Sequence, residues 1–159
     1  MIPSKVSEDC TIIGCNAGAN VAAGGASIVL MGSNAAYTAT TPSDIVSIGT
    51  YSASCMTTGT DSVYIGSRAG HRVEAAADNV AIGAWTLKNE CDGGCNTVVG
   101  TCAAIIQQGG NTNTIVGAVA GGCITTGSGN VFIGYKAGCP HTTSSCCLVI
   151  GNGPCTLVR

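Results

Sequence analysis

Nine glycines, Gly14, Gly32, Gly49, Gly66, Gly83, Gly100, Gly117, Gly134 and Gly151, punctuate this chain, 18 residues apart at the first step and 17 at every later one. Each sits in a version of one phrase. Residues 129–138 read Gly-Asn-Val-Phe-Ile-Gly-Tyr-Lys-Ala-Gly, residues 61–70 read Asp-Ser-Val-Tyr-Ile-Gly-Ser-Arg-Ala-Gly, and residues 78–86 read Asp-Asn-Val-Ala-Ile-Gly-Ala-Trp-Thr. A short period held through seven consecutive equal steps marks a quasi-one-dimensional repeat, in which each copy hides its apolar side only by stacking on its neighbours.

Counting from each glycine fixes the local structure. The residue just before it is Ile13, Met31, Ile48, Ile65, Ile82, Val99, Val116, Ile133 or Ile150, and two further back stand Thr11, Val29, Val46, Val63, Val80, Thr97, Thr114, Val131 and Leu148. Alternating β-branched residues form a strand with one face turned to a core. Three residues after the glycine the side chain is small: Ala17, Ala35, Ser52, Ala69, Thr86, Ala103, Ala120, Ala137 or Pro154. The pattern predicts an all-β fold, a slim parallel β-solenoid of nine 17-residue coils over 9–159 after a lead-in at 1–8. At roughly 4.8 Å per coil it makes a rod about 43 Å long.

The two β-branched rows are read here as pointing inward. The intervening row, Ile12, Leu30, Ser47, Tyr64, Ala81, Val98, Ile115, Phe132 and Val149, then points outward. It is almost wholly apolar, and none of the 14 charged residues (six Lys and Arg, eight Asp and Glu) falls between four before a glycine and one after it. Ile12, Leu30, Tyr64, Val98, Ile115, Phe132 and Val149 are therefore the expected oligomer face, with a homotrimer as its closed form. Charged residues at 9% and aromatics at 4% leave too few large side chains for a globular interior, and positive mean hydropathy points to surface hidden against other copies.

Four residues before the glycine, Asn79, Asn96, Asn113 and Asn130 occupy successive coils. They read as a ladder of stacked amides satisfying one another rather than as a ligand row. Gly24, Gly59, Gly93, Gly110 and Gly127 recur ten residues after the key glycine, where a corner needs positive φ or close approach.

The phrase Asn-Val-Ala-Ile-Gly with a small residue three positions on resembles the repeat of YadA-like heads of trimeric autotransporter adhesins. It is also similar to the Asn-x-x-x-Gly repeats of tail-fibre and giant-virus proteins. The resemblance implies a trimer of parallel β-rolls serving as a fibre or surface structure. The adhesin repeat is shorter and nearly free of cysteine, and this sequence shows no neck, coiled-coil stalk or membrane anchor. Those departures favour a particle-borne filament.

Eleven cysteines, Cys10, Cys15, Cys55, Cys91, Cys95, Cys102, Cys123, Cys139, Cys146, Cys147 and Cys155, read as disulfide candidates. Cys123 and Cys139, and Cys139 and Cys155, fall at nearly the same place on adjacent coils, within the reach of a disulfide. An odd count leaves one thiol free or bonded to another chain. There is no secretory signal, no run of apolar residues long enough to span a membrane and no Asn-x-Ser/Thr acceptor. That combination fits a virion component assembled in the host cytoplasm and later oxidised, with an extracellular surface as the alternative.

Other chemistry is thin. Zinc would want Cys-x-x-Cys pairs, and none exists, while His71 and His141 stand far apart. Carboxylates are scattered and the glycine-rich stretches lack a Walker lysine, so no enzyme, metal or cofactor is expected. A net charge of −2 without a basic patch argues against nucleic acid. Threonine pairs at Thr40-Thr41, Thr57-Thr58, Thr125-Thr126 and Thr142-Thr143 raise an ice-binding array, which Glu74-Ala75, Cys91-Asp92 and Gln108-Gly109 interrupt. Tyr37, Tyr51, Tyr64, Trp85, Phe132 and Tyr135 look spread along the rod rather than gathered for a receptor. The expected function is structural: trimers of a large DNA virus stacking head-to-tail into disulfide-locked filaments, because neither end carries a cap. The rival is a receptor-binding adhesin or fibre head on a host receptor.

Overall fold

A computed structural model describes residues 9–22, 26–139, 141–153 and the backbone of 155–158. The expected lead-in at 1–8 and the turn glycine Gly24 lie outside the described residues. The architecture is all-β. Nine parallel strands stack in chain order into one sheet: β1 (Thr11–Ile13), β2 (Val29–Met31), β3 (Ser43–Ile48), β4 (Thr60–Ile65), β5 (Val80–Ile82), β6 (Thr97–Val99), β7 (Thr114–Val116), β8 (Val131–Ile133) and β9 (Leu148–Asn152). Register follows the repeat, with Val80 opposite Thr97, Thr97 opposite Thr114 and Thr114 opposite Val131. The result is a β-solenoid.

Each coil leaves its strand at the key glycine and returns through two successive tight turns. In the first, the third residue donates its N–H back to the glycine carbonyl, as Ala35 does to Gly32 at 3.3 Å and Ala103 to Gly100 at 3.2 Å. In the second, the seventh residue donates to the fourth, as Val73 does to Gly70 at 3.2 Å and Ile124 to Gly121 at 3.0 Å. The second residue of the turn is left-handed in coil after coil: Asn34 at φ 56°, Tyr51 at 57°, Arg68 at 55°, Trp85 at 61° and Cys102 at 55°. Non-glycine residues hold such a conformation only where the surroundings over-determine it, and here the coil above and below does so by hydrogen bonding. Trp85 N–H, for example, donates to the Ser67 carbonyl of the preceding coil at 2.9 Å.

The key glycines form a column through the rod. Gly32, Gly49 and Gly117 have φ of 133°, 133° and 132°, and a Cβ built on any of them would meet the carbonyl oxygen of the next coil's glycine at 2.6, 2.5 and 2.5 Å. The backbones are stacked directly on one another, so no side chain fits.

The strand orientation is the reverse of the sequence expectation. Leu30, Tyr64, Val98, Ile115 and Phe132 are fully buried inside the solenoid, Val149 is 6% exposed and Ile12 is half-buried against the core. They are core, not an oligomer face. Alternation along the strand carries the buried asparagines, four before the glycine, and this middle row to the same side. The β-branched rows therefore face out: Ile13 is 56% exposed, Ile133 38% and Leu148 44%.

The interior explains why the middle row varies so much in size. Its partner across the coil is the residue four after the glycine, and their volumes compensate. Tyr64 faces Gly70 and Phe132 faces Gly138, and a Cβ on either glycine would lie 2.5 Å from a ring carbon. Where the strand residue shrinks to Ala81, the partner grows to Leu87, fully buried at φ 49°. The small residues three after the glycine, Ala35, Ala69, Ala103 and Ala120 among them, are fully buried as expected.

The C-terminal end also departs from expectation. A tenth strand, β10 (Cys155–Val158), folds back antiparallel on β9, pairing Cys155 with Asn152 and Thr156 with Gly151. The outward edge of β9 is therefore paired, and β10 is the last strand of the sheet at this end. Gly117→Ala is expected to destabilise the fold by on the order of 3 kcal/mol, combining left-handed strain with a backbone clash. Thermal denaturation followed by circular dichroism checks it; an unchanged melting temperature would mean the glycine column is not packed backbone to backbone.

Candidate interaction surfaces

The outer face of the sheet is built from the two β-branched rows. Along it Ile13, Met31, Ile82, Val116, Ile133 and Leu148 are each more than a third exposed, with Val29, Val46, Val63 and Val80 half-buried between them. Cross-strand neighbours of like shape, such as Val116 beside Ile133, make the face flat. Among the described residues, charged side chains gather on the turns, at Asp78 just before β5, and at Asp44 and Asp61, exposed near the starts of β3 and β4.

A second surface lies on the turns that follow the glycine column. Tyr51, Arg68 and Trp85 hold the same left-handed turn position in three adjacent coils, so their side chains stack along the axis. The Arg68 guanidinium lies 5.5 Å from the Tyr51 ring centroid and 4.6 Å from that of Trp85, and Lys88 Nζ lies 4.9 Å from Trp85. His71 closes the group, its ring 6.3 Å from that of Tyr51. Burial first, and then the charges of Arg68, Lys88 and Arg72, hold the His71 imidazolium below the usual histidine range. The aromatics that looked scattered are thus partly gathered. The signal was available: positions 51, 68 and 85 are one period apart. Tyr64 and Phe132 take no part, being core.

The asparagines form the expected ladder, with one addition. Asn79, Asn96 and Asn113 each accept through Oδ1 from the backbone N–H of the next coil's asparagine at 3.0, 3.0 and 2.9 Å, and Asn130 accepts from Cys147 N–H at 3.0 Å. Each also donates across the narrow interior, Asn79 to the Gly93 carbonyl at 2.9 Å, Asn96 to Gly110 at 2.8 Å and Asn113 to Gly127 at 2.9 Å. One amide therefore ties a coil to its neighbour and closes its own coil. All four side chains are buried, which leaves no ligand row.

Glu90 is the unforeseen member of the interior. It stands seven after its glycine, where other coils place Val73, Met56 or Ile124, and it is fully buried. Its carboxylate accepts from Gly93 N–H at 2.8 Å, from Gly109 N–H and from Gln107 Nε2 at 2.8 Å. Burial nonetheless outweighs these donors and raises its pKa. Among the described residues Gln107 Oε1 beside it meets no hydrogen-bond partner, and neither does the Tyr64 hydroxyl, whose pKa burial pushes up to about 12.

Cys123 and Cys139 bring their sulfurs to 3.0 Å across adjacent coils. Cys15, Cys55, Cys91, Cys95, Cys102, Cys146 and Cys147 stand as thiols, Cys10 is half-buried against the core, and the Cys155 side chain lies outside the described residues. Cys91 and Cys95 bracket their corner without joining. Cys146 and Cys147 line, with His141, an open hollow of about 420 Å³ at the last corner. Among the described residues no three His, Cys, Asp or Glu converge to hold a metal, and no helix is long and apolar enough to cross a membrane. Thr40, Thr57 and Thr125 donate their hydroxyls to carbonyls of the next coil at 3.1, 2.9 and 3.0 Å, so this side-chain proton is used within the solenoid.

Because the folded pKa of Glu90 is raised, the folded state holds its proton more tightly than the unfolded chain. The stability this confers is complete below the ordinary glutamate value and is lost as pH rises through the folded pKa. Glu90→Gln is therefore expected to raise the melting temperature at pH 7 relative to wild type, with the gap closing towards pH 4. Melting curves of both proteins across that range check it.

No family model matches the chain, and neither the curated proteins nor the solved structures show a match to it.

Proposed function

We propose that this chain is a structural protein whose rods associate side by side through the outer sheet face, building a trimeric fibre or tubule of a virus particle. The observation that carries the reading is that face: an apolar strip, with Asp44 and Asp61 only at its margin, on which Ile13 is 56%, Ile133 38% and Met31 37% exposed. Nine strands of about 10 Å width at roughly 4.8 Å spacing give about 430 Å². Burying two such faces removes about 860 Å², at the low end of interface sizes, so the quality of the apolar packing and not the area alone has to carry association. Three rods turning their faces to one axis cover every row and leave nothing to propagate laterally, which favours a closed trimer. Charge-bearing turns remain outside, where they keep the assembly in solution.

A disulfide between adjacent coils would lock each rod from within. Oxidation by a low-molecular-weight disulfide such as oxidised glutathione takes the two thiol hydrogens of Cys123 and Cys139 and joins their sulfurs, releasing two reduced thiols. A loop of about 15 residues closed this way stabilises by roughly 3 kcal/mol. The receptor-binding head is the second reading, favoured by the Tyr51, Arg68 and Trp85 stack.

Ile133→Asp is expected to lower the oligomer mass in light scattering without unfolding, since a charge is costly to bury in an apolar interface. Phe132→Asp, one residue away, is expected to unfold the chain instead. Equal mass for wild type and Ile133→Asp would refute lateral assembly. Peptide mapping after glutathione oxidation is expected to recover Cys123 linked to Cys139, with a higher melting temperature than the Cys123→Ser variant.

A further inference from the structure

We infer that the turn surface around Arg68 is a binding site for a carboxylated saccharide. Arg68 is clamped between the rings of Tyr51 and Trp85, at 5.5 and 4.6 Å from their centroids. A guanidinium stacked in this way uses its faces on the rings and keeps its planar edge, with the N–H fork, for a ligand. Among the described residues no carboxylate or hydrogen-bond acceptor engages the Arg68 guanidinium or the Lys88 ammonium. The donors are thus held in place and unspent, so a bidentate oxyanion meets a fork whose ordering cost has already been met by the rings.

The rest of the patch narrows the ligand. Lys88, over Trp85 at 4.9 Å, adds a second cation one coil on, and His71 adds a neutral donor or acceptor beside Tyr51. Tyr51, 39% exposed, offers a ring to the apolar face of a sugar. The cationic stretch is short. Along the axis it gives way to Asn34 on one side and to Cys102 and Val119 on the other, at the same turn position. A polyphosphate chain wants a longer track of cations; a single carboxylate beside one sugar ring matches two cations and one exposed aromatic ring.

Trp85 is the sole tryptophan, so its fluorescence reports the site directly. The proposal is tested by titrating the full chain with sialyllactose, with neutral lactose, and with sodium acetate at matched ionic strength. A saturable change with sialyllactose alone is expected. Arg68→Lys, which keeps the charge but loses the fork, is expected to weaken it about tenfold or more, and Lys88→Gln to weaken it less. Lys136→Gln, whose ammonium lies over Tyr135 on a distant coil, is expected to leave it unchanged. No saturable change with sialyllactose, an equal response to lactose, an equal response to acetate, or full retention in Arg68→Lys would each overturn the proposal. The site does not rest on lateral assembly: Ile133→Asp is expected to bind as wild type does, so the two readings fail separately.

Discussion

The structure depends on how closely one coil's backbone lies on the next. At the glycine column the carbonyl of each glycine occupies the space where its neighbour's Cβ would be, 2.5–2.6 Å away at Gly32, Gly49 and Gly117. That contact sets the axial step, and the other ladders are tuned to it. Parallel strands pair in register because the column allows only one stacking offset. Asparagine amides span the same step, and the left-handed turn residues find their carbonyl partners at it. Replacing glycine at one level would shift every ladder there at once, since each level touches only its two neighbours.

The repeat and the solenoid were legible because both follow from spacing, which is independent of which way side chains point. Orientation was not, and the reason is instructive. Valine and isoleucine rows before each glycine look like core, and uniform β-branched rows usually are. Yet uniformity is what a flat outer face requires, whereas a narrow interior stacked coil on coil tolerates variation only if another wall compensates. Tyr64 with Gly70, Phe132 with Gly138 and Ala81 with Leu87 record that compensation in the sequence itself. Reading the middle row against the residue six further on would have assigned the inside. The stacked turn residues were equally readable at 51, 68 and 85. Glu90 was not, because nothing in its sequence neighbourhood distinguishes a buried carboxylate from a solvated one. Its burial depends on backbone N–H groups of Gly93 and Gly109 that only the fold brings to it.

The corrected orientation moves the apolar surface without removing it. Large side chains that would have been spent on partners fill the rod, and the outer face is made of medium-sized valines and isoleucines that lie flat. The two faces of each strand thus meet different requirements. Stability within a coil comes from Tyr64, Phe132, Ile115 and Leu30, all fully buried. The outer face is left to residues whose loss would not hollow the core.

Polar groups inside the rod follow a matching division. An asparagine amide has both a donor and an acceptor, and the geometry uses both, the acceptor along the axis and the donor across it, so burial leaves little unsatisfied. A carboxylate has acceptors only. Glu90 accepts all three neighbouring donors and is still driven towards its protonated form, because three neutral hydrogen bonds do not replace the hydration of a full charge. A neutral Glu90 therefore suits this interior better than a charged one, as do the neutral amides of Asn79, Asn96, Asn113 and Asn130 in four successive coils.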